Sequence, residues 1–249
     1  MRLDQTTPVL ISGGASGLGA AVAQYFLAQD IPVGVLDLNT ENTPMGAMAA
    51  KADITDPQQV EAALATIRAQ NGQERLVVNC AGIAPSAKTV SRGAAHDPHL
   101  FAKVIQINLI GSFNVASQSA LGMSTLAPMD DGERGVIINT ASIAAFEGQM
   151  GQIAYAASKG GVAAMTLPMA RDMAKLGVRI MAIAPGVFLT PMISGMSQEV
   201  QDALAGVSEF PKRLGHPHEF SRLVEAIATN TMLNGETIRL DGGTRMQAK

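Results

Sequence analysis

A doubly wound α/β domain, a parallel sheet covered by helices on both faces, is what the sequence predicts, on three observations. Short runs rich in β-branched residues recur along the chain, and their near-continuous apolar character implies that both of their faces are covered. Longer stretches carrying Ala, Leu, Met and Gln at helical spacing alternate with them. The alternation persists almost to the C-terminus without a linker, a low-complexity stretch or a fixed-period repeat, so residues 1–249 are expected to form one domain.

The expected strands, in order, are Val9–Ser12, Val33–Asp37, Leu76–Asn79, Val136–Thr140, Val178–Ala184 and Thr237–Leu240. The clearest helices between them are Gly17–Gln29, Pro57–Gln70 and Gln152–Lys175. Pro57 suits the first turn of its helix, with Asp56 as the cap before it. Two stretches break local rules. Pro168 falls inside the third helix, where it removes a backbone donor and is expected to bend or end the helix. The stretch Asn39–Ala50 is short and contains Pro44 and Gly46, so a full crossover helix is not expected there.

Composition removes several classes of function. With 47% apolar residues, 249 residues are enough to enclose a substantial core. A formal charge of −3, with no arginine-rich run, argues against nucleic acid as a partner. Cys80 is the only cysteine, which rules out an intrachain disulfide and a cysteine metal cluster and suits a reducing compartment. His96 and His99 are expected to be solvent-facing loop residues, and no metal site is expected. No apolar run of roughly 18 to 20 residues is evident, so no membrane partner is expected. The N-terminus lacks a signal-peptide pattern, from which a cytoplasmic location is expected, or the mitochondrial matrix if a presequence has been removed.

The first strand runs into Ser12-Gly13-Gly14-Ala15-Ser16-Gly17-Leu18-Gly19, and a helical pattern follows at once. Glycines at 13, 17 and 19 let the backbone turn sharply and approach a pyrophosphate, which the amides and positive dipole of the next helix attract. Asp37 ends the second strand, where a carboxylate can accept hydrogen bonds from both adenosine ribose hydroxyls and repel a 2′-phosphate. Together these features predict a Rossmann-type fold. With no Arg or Lys beside Asp37 in the sequence, NAD is the expected cofactor. Asp37 as a mere loop cap remains an alternative.

A second constellation lies mid-chain. Ser142 follows the fourth strand, and Tyr155 and Lys159 are four residues apart, on one face of the third helix. A phenol titrates near pH ~10. A nearby ammonium and the positive nicotinamide ring are expected to lower that value, making Tyr155 a proton acceptor from an alcohol or donor to a carbonyl. Ser142 would orient the substrate oxygen. Ser/Tyr/Lys nucleophilic catalysis is the competing reading, disfavoured because no Gly-x-Ser-x-Gly elbow surrounds Ser142.

Over essentially its full length the chain resembles the short-chain dehydrogenase/reductase family. The resemblance is carried by the glycine turn, Asp53 before Ile54-Thr55, Asn79-Cys80-Ala81-Gly82, Asn108, Ser142, Tyr155-x-x-x-Lys159, Pro185-Gly186 and Asp241-Gly242. It implies a catalytic tetrad of Asn108, Ser142, Tyr155 and Lys159, in which Asn108 holds a water linking Lys159 to solvent; a helix-kink asparagine is the alternative. It also implies that Asp53 and Ile54 contact adenine, that Cys80 lies along the adenosine ribose, and that Phe188 and Thr190 touch the nicotinamide half. Ser12, Ser16, Leu18, Asn79, Ala81, Gly82, Pro185 and Gly186 are further implied cofactor contacts. Within the family, residues 135–151, 165–172, 210–215 and 233–242 resemble the type II 3-hydroxyacyl-CoA dehydrogenases. That implies oxidation of a (3S)-3-hydroxyacyl-CoA to the 3-oxo thioester, and a homotetramer. The competing activities are a short-chain alcohol or steroid dehydrogenase, a 3-oxoacyl-carrier-protein reductase and a non-catalytic nucleotide-binding scaffold. The departures fall where a substrate pocket would be shaped, in residues 84–100 and 189–211.

Overall fold

The computed structural model describes residues 1–248. Seven parallel strands form one sheet in the order β3-β2-β1-β4-β7-β8-β9. These are β1 (Val9–Ser12), β2 (Val33–Asp37), β3 (Met48–Lys51), β4 (Leu76–Asn79), β7 (Gly135–Thr140), β8 (Val178–Pro185) and β9 (Thr237–Leu240). A small antiparallel hairpin, β5 (Val90–Ser91) and β6 (Ala94–Ala95), stands apart. The period-2 geometry of a strand divides the core into two layers. Val9, Ile11, Leu76, Val78, Val136 and Ile138 face one layer, where they meet Phe26 and Phe220. Leu10, Val77 and Ile137 face the other, against Leu64, Val115 and Met123. Both phenylalanines are fully buried, each contributing about 1.5–3 kcal/mol of transfer free energy.

The helices are α1 (Gly17–Leu27), α2 (Pro57–Asn71), α3 (Pro98–Ile105), α4 (Ser112–Ser124), α5 (Ala144–Glu147), α6 (Ile153–Met173), α7 (Pro191–Ser194), α8 (Gln198–Gly206) and α9 (Pro217–Thr229). Asp56 caps α2, its carboxylate accepting from the amides of Gln58 and Gln59, with Pro57 in the first turn. β3 was not expected from the sequence; it occupies part of the stretch where a crossover helix was doubted.

Two expectations are refined by the structure. Of the bend or end expected at Pro168, the end does not occur, and α6 runs on to Met173. Pro168 and Ala164, whose carbonyl loses its donor, both lie on the exposed side of the helix, where water can satisfy that carbonyl. The second concerns apolar length. Residues 98–124 form one continuous helical rod of 27 residues, long and apolar enough to cross a bilayer by those two measures alone. Polar residues such as Lys103, Asn108 and Asn114 break up its apolar pattern in the sequence. In the fold this rod packs against α6 and the sheet, with Val104, Asn108, Val115 and Ala116 buried.

Candidate active site

The strand order reverses between β1 and β4, since the chain passes from β1 outward to β3 before returning to the other side. A ligand cleft is expected beyond the strand C-termini at such a point. A cleft of about 810 Å³ opens there. Its lining includes Gly13, Ser16, Gly17, Leu18, Gly19, Asp37, Asp53, Ile54, Cys80, Ala81 and Gly82 on one side. Ser142, Tyr155, Lys159, Pro185, Gly186, Phe188 and Thr190 line the other. Residues remote in sequence are thus gathered on one concave surface.

The glycine turn leaves no room for a side chain at two of its positions. Gly13 sits at φ +71°, and a Cβ there would lie 2.5 Å from the amide nitrogen of Ala81; a Cβ on Gly19 would strike the carbonyl oxygen of Gly13. The first amides of α1 have no acceptor within the helix, and Gly17, Leu18 and Gly19 from that turn face the cleft. These residues fit the diphosphate of a nicotinamide dinucleotide. Asp37 closes the turn from below, accepting from the amide of Ala15 at 3.1 Å and from its own neighbour Asn39 at 3.2 Å. The capping duty left open in the sequence is therefore present. β3 also brings Lys51 into register opposite Asp37, although among the described residues no ion pair joins them.

Beneath the cleft floor runs a polar belt across three strands. The register aligns Ser12, Asn79 and Asn139. Ser12 Oγ donates to Asn79 Oδ1 at 2.9 Å, and Asn79 Nδ2 donates to Asn139 Oδ1 at 2.9 Å. Ser12 and Asn79, expected to contact cofactor, are therefore buried supports that do not line the cleft. Cys80 does line it; burial pushes its thiol up to about 11, and the Thr140 hydroxyl donates to its sulfur at 3.7 Å.

Asn108 also stands one layer back. Its side chain accepts the Ile83 amide at 2.8 Å and donates to the Ile83 carbonyl and to Ser158 Oγ. It lies in a π-helical segment, Gln106–Gly111, inserted between α3 and α4, a distortion that frequently marks functional sites. Its amide ties the loop at Ile83 to Ser158 of α6, and its place in the π-helical segment agrees with the kink alternative.

Tyr155 and Lys159 both reach the cleft from α6, but they do not hydrogen-bond. Lys159 Nζ donates to the carbonyl of Thr140 at 2.6 Å and lies 5.8 Å from the centre of the Tyr155 ring. Burial lowers the Lys159 ammonium to about 8. Burial likewise raises the Tyr155 phenol, opposed by the nearby Ser142 hydroxyl. The sequence predicted a lowered phenol. Among the protein's own groups burial dominates, since taking the phenol out of water disfavours its charged form. Ser142 Oγ accepts from the Ala144 amide at 3.1 Å, which orients it at the head of α5.

A short chain dehydrogenase profile matches residues 7–201. The chain belongs to the short-chain dehydrogenase family. It is 49% identical over 247 residues to the 3-hydroxyacyl-CoA dehydrogenase type-2 of Bos taurus, covering 96% of this chain and 95% of that one. The corresponding Homo sapiens protein is 47% identical over the same shares. A crystal structure of a 3-hydroxyacyl-CoA dehydrogenase type-2 from Mycobacterium avium superposes with a TM-score of 0.92 at 36% identity, covering 99% of this chain and 98% of its own. This short-chain dehydrogenase is an oxidoreductase, and its family generally uses NAD(P).

Several lining residues were not anticipated from the sequence, among them Lys103, Ile107, Gln152 and Met246, whereas Ile193 falls in the 189–211 stretch expected to shape the substrate pocket. Lys103 and Ile107 come from the α3 rod at helical spacing, a signal the sequence did contain. Met246 comes from the C-terminal tail, and nothing local to it announces that position.

Proposed function

We propose that this short-chain dehydrogenase is NAD-dependent and oxidises a (3S)-3-hydroxyacyl-CoA to the 3-oxoacyl-CoA, with Tyr155 as general base. The bound dinucleotide supplies the acceptor for the hydride. Ser142 holds the substrate oxygen, and Tyr155 exchanges a proton with it. Lys159 places a buried cation beside the phenol, and Asn108 ties its helix to the Ile83 loop. The observation that carries the reading is the convergence of Ser142, Tyr155 and Lys159 on a cleft whose far side is the glycine turn. The thioester substrate is supported by the names of the relatives at 47–49% identity. NAD over NADP is supported by the Asp37 carboxylate at the end of β2.

A homotetramer is proposed as the assembled form. It is supported by an apolar stripe on the outer face of the α3–α4 rod, where Ile110, Phe113 and Leu121 are exposed, and by Ile153 and Leu167 on α6. The low net charge and single cysteine support a small-molecule substrate rather than nucleic acid, and a cytoplasmic or mitochondrial-matrix location.

A turnover screen tests the function. Hydroxyacyl-CoA thioesters of increasing length, secondary alcohols, a hydroxysteroid and a carrier-protein thioester are offered with NAD and with NADP. NADH formation fastest on CoA thioesters is expected. Faster turnover of carrier-protein thioesters with the NADP couple would replace this reading by the reductase one. No turnover of any of them, with nucleotide still bound, would favour a binding scaffold.

A further inference from the structure

The C-terminal residues form a strap across the head of the catalytic helix. Thr244 is its fixed root: it is buried, its hydroxyl donates to the Asp241 carbonyl at 2.7 Å, and its own carbonyl accepts from Arg239 at 2.8 Å. Beyond it the chain runs beside the loop that joins α5 to α6, held by three hydrogen bonds. The Met246 amide donates to the Glu147 carboxylate at 3.0 Å, Gln149 Nε2 donates to the Gln247 carbonyl at 3.2 Å, and the Met150 amide donates to the Ala248 carbonyl at 3.0 Å. Glu147 is itself clamped by Arg239 at 2.8 Å and approached by Arg245 at 3.4 Å. The Arg239 hydrogen bond holds the Glu147 carboxyl below its usual range. The strap is thus fixed in place at both its root and its middle.

What the strap presents to the cleft is Met246, half-buried in the same lining as Ser142, Gln152 and Tyr155. The loop it leans on follows Ser142 and precedes Tyr155 in the chain, whereas the glycine turn and Asp37 stand across the switch point. Met246 therefore belongs to the end of the cleft that takes the alcohol or ketone. An unbranched thioether with three rotatable bonds adapts to chains of differing shape.

We infer that Met246, held over the cleft by Glu147, is the residue of this chain that sets how long an acyl or alkyl chain the substrate carries. The acyl form of this inference rests on the hydroxyacyl-CoA reading of the site; the wall itself does not.

The test compares kcat/KM across a chain-length series for the unmodified protein, Met246→Ala, Met246→Phe and a protein lacking residues 246–249. Kd values for butyryl-CoA and decanoyl-CoA, which cannot be oxidised at a 3-hydroxyl, are measured alongside in the presence of NAD. Met246→Ala and the truncation are expected to move the optimum toward longer chains, and Met246→Phe toward shorter ones. The ratio of long-chain to short-chain kcat/KM should change by about tenfold or more, since one methylene in an apolar pocket discriminates by that much. The effect should fall in KM and Kd for the thioester, with the KM for NAD little changed. If no CoA thioester binds or turns over, the thioester reading fails, and the same reversal is sought on secondary alcohols of increasing length. If the order of preference in whichever series is used is unchanged in all three variants, Met246 is not the wall and the inference is overturned.

Discussion

Replacing Asp37 by Asn separates two duties of this carboxylate, one seen in the structure and one proposed for it. One is to cap the glycine turn, since its oxygen accepts from the Ala15 amide at 3.1 Å. Asparagine retains an acceptor for that bond. The other is to repel a 2′-phosphate, which asparagine cannot do. A unit charge about 5 Å from a carboxylate, at an effective dielectric near 20, meets roughly 3 kcal/mol of repulsion. At about 1.4 kcal/mol per tenfold, that is a discrimination of roughly a hundredfold against NADP. Lys51, in register opposite Asp37, would offset part of it. Asp37→Asn should therefore bring the NAD to NADP ratio of kcat/KM to within about tenfold while leaving Tm nearly unchanged. Asp37→Ala removes the cap as well, and a charged hydrogen bond worth about 1.5 kcal/mol should lower Tm by a further 3–6 °C, roughly. Initial rates with each dinucleotide and a thermal melt suffice. An unmodified protein that already prefers NADP, or an Asn variant with an unchanged ratio, refutes the assignment.

Lys159 makes stability depend on pH. Its pKa is about 8 in the fold against 10.5 for the free side chain, so between these values the unfolded chain binds more protons and stability rises with pH. Lys159→Met removes that term; the Tm advantage of the variant over the parent should be largest below pH 8 and shrink toward pH 10.5, and a constant difference across that window would contradict it. Because burial raises the Tyr155 phenol, oxidation of an alcohol should accelerate with pH above neutrality, and reduction of the ketone should not; initial rates in both directions read this, and parallel profiles would count against it. Phe113→Glu and Leu121→Glu place charges on the exposed apolar stripe of α4, at residues 47% and 70% exposed. Light scattering should show a tetramer for the parent and smaller species for these variants, and tetramers throughout would move the interface elsewhere.

Much of the fold was legible because its strands are buried on both sides. Val9–Ile11, Leu76–Val78 and Ile180–Ala184 read as continuous apolar runs since no face of them meets water. β3 escaped notice for the opposite reason. Met48–Lys51 lies at the sheet edge, only Ala50 in it is buried, and no β-branched residue marks it. Its omission hid Lys51 from the argument about Asp37.

At the site, residues whose role is a local spacing were readable, such as Tyr155 and Lys159 on one helix face. Contacts that depend on tertiary placement were not. The sequence cannot show that the Asn108 amide is taken up by Ile83 and Ser158, that Lys159 donates to a carbonyl of β7, or that Ser12 and Asn79 lie beneath the cleft floor. Met246 is the extreme case, positioned by a carboxylate 99 residues earlier in the chain.

The proposed proton transfer depends on the Tyr155 hydroxyl. Its most direct measurement is single-turnover NADH formation from NAD and 3-hydroxybutyryl-CoA in the parent and in Tyr155→Phe, with the Kd for NAD determined in both. The rate should fall by about 10²–10⁴ while NAD binding persists. A phenylalanine variant that turns over at the parental rate would show that the proton leaves by another group.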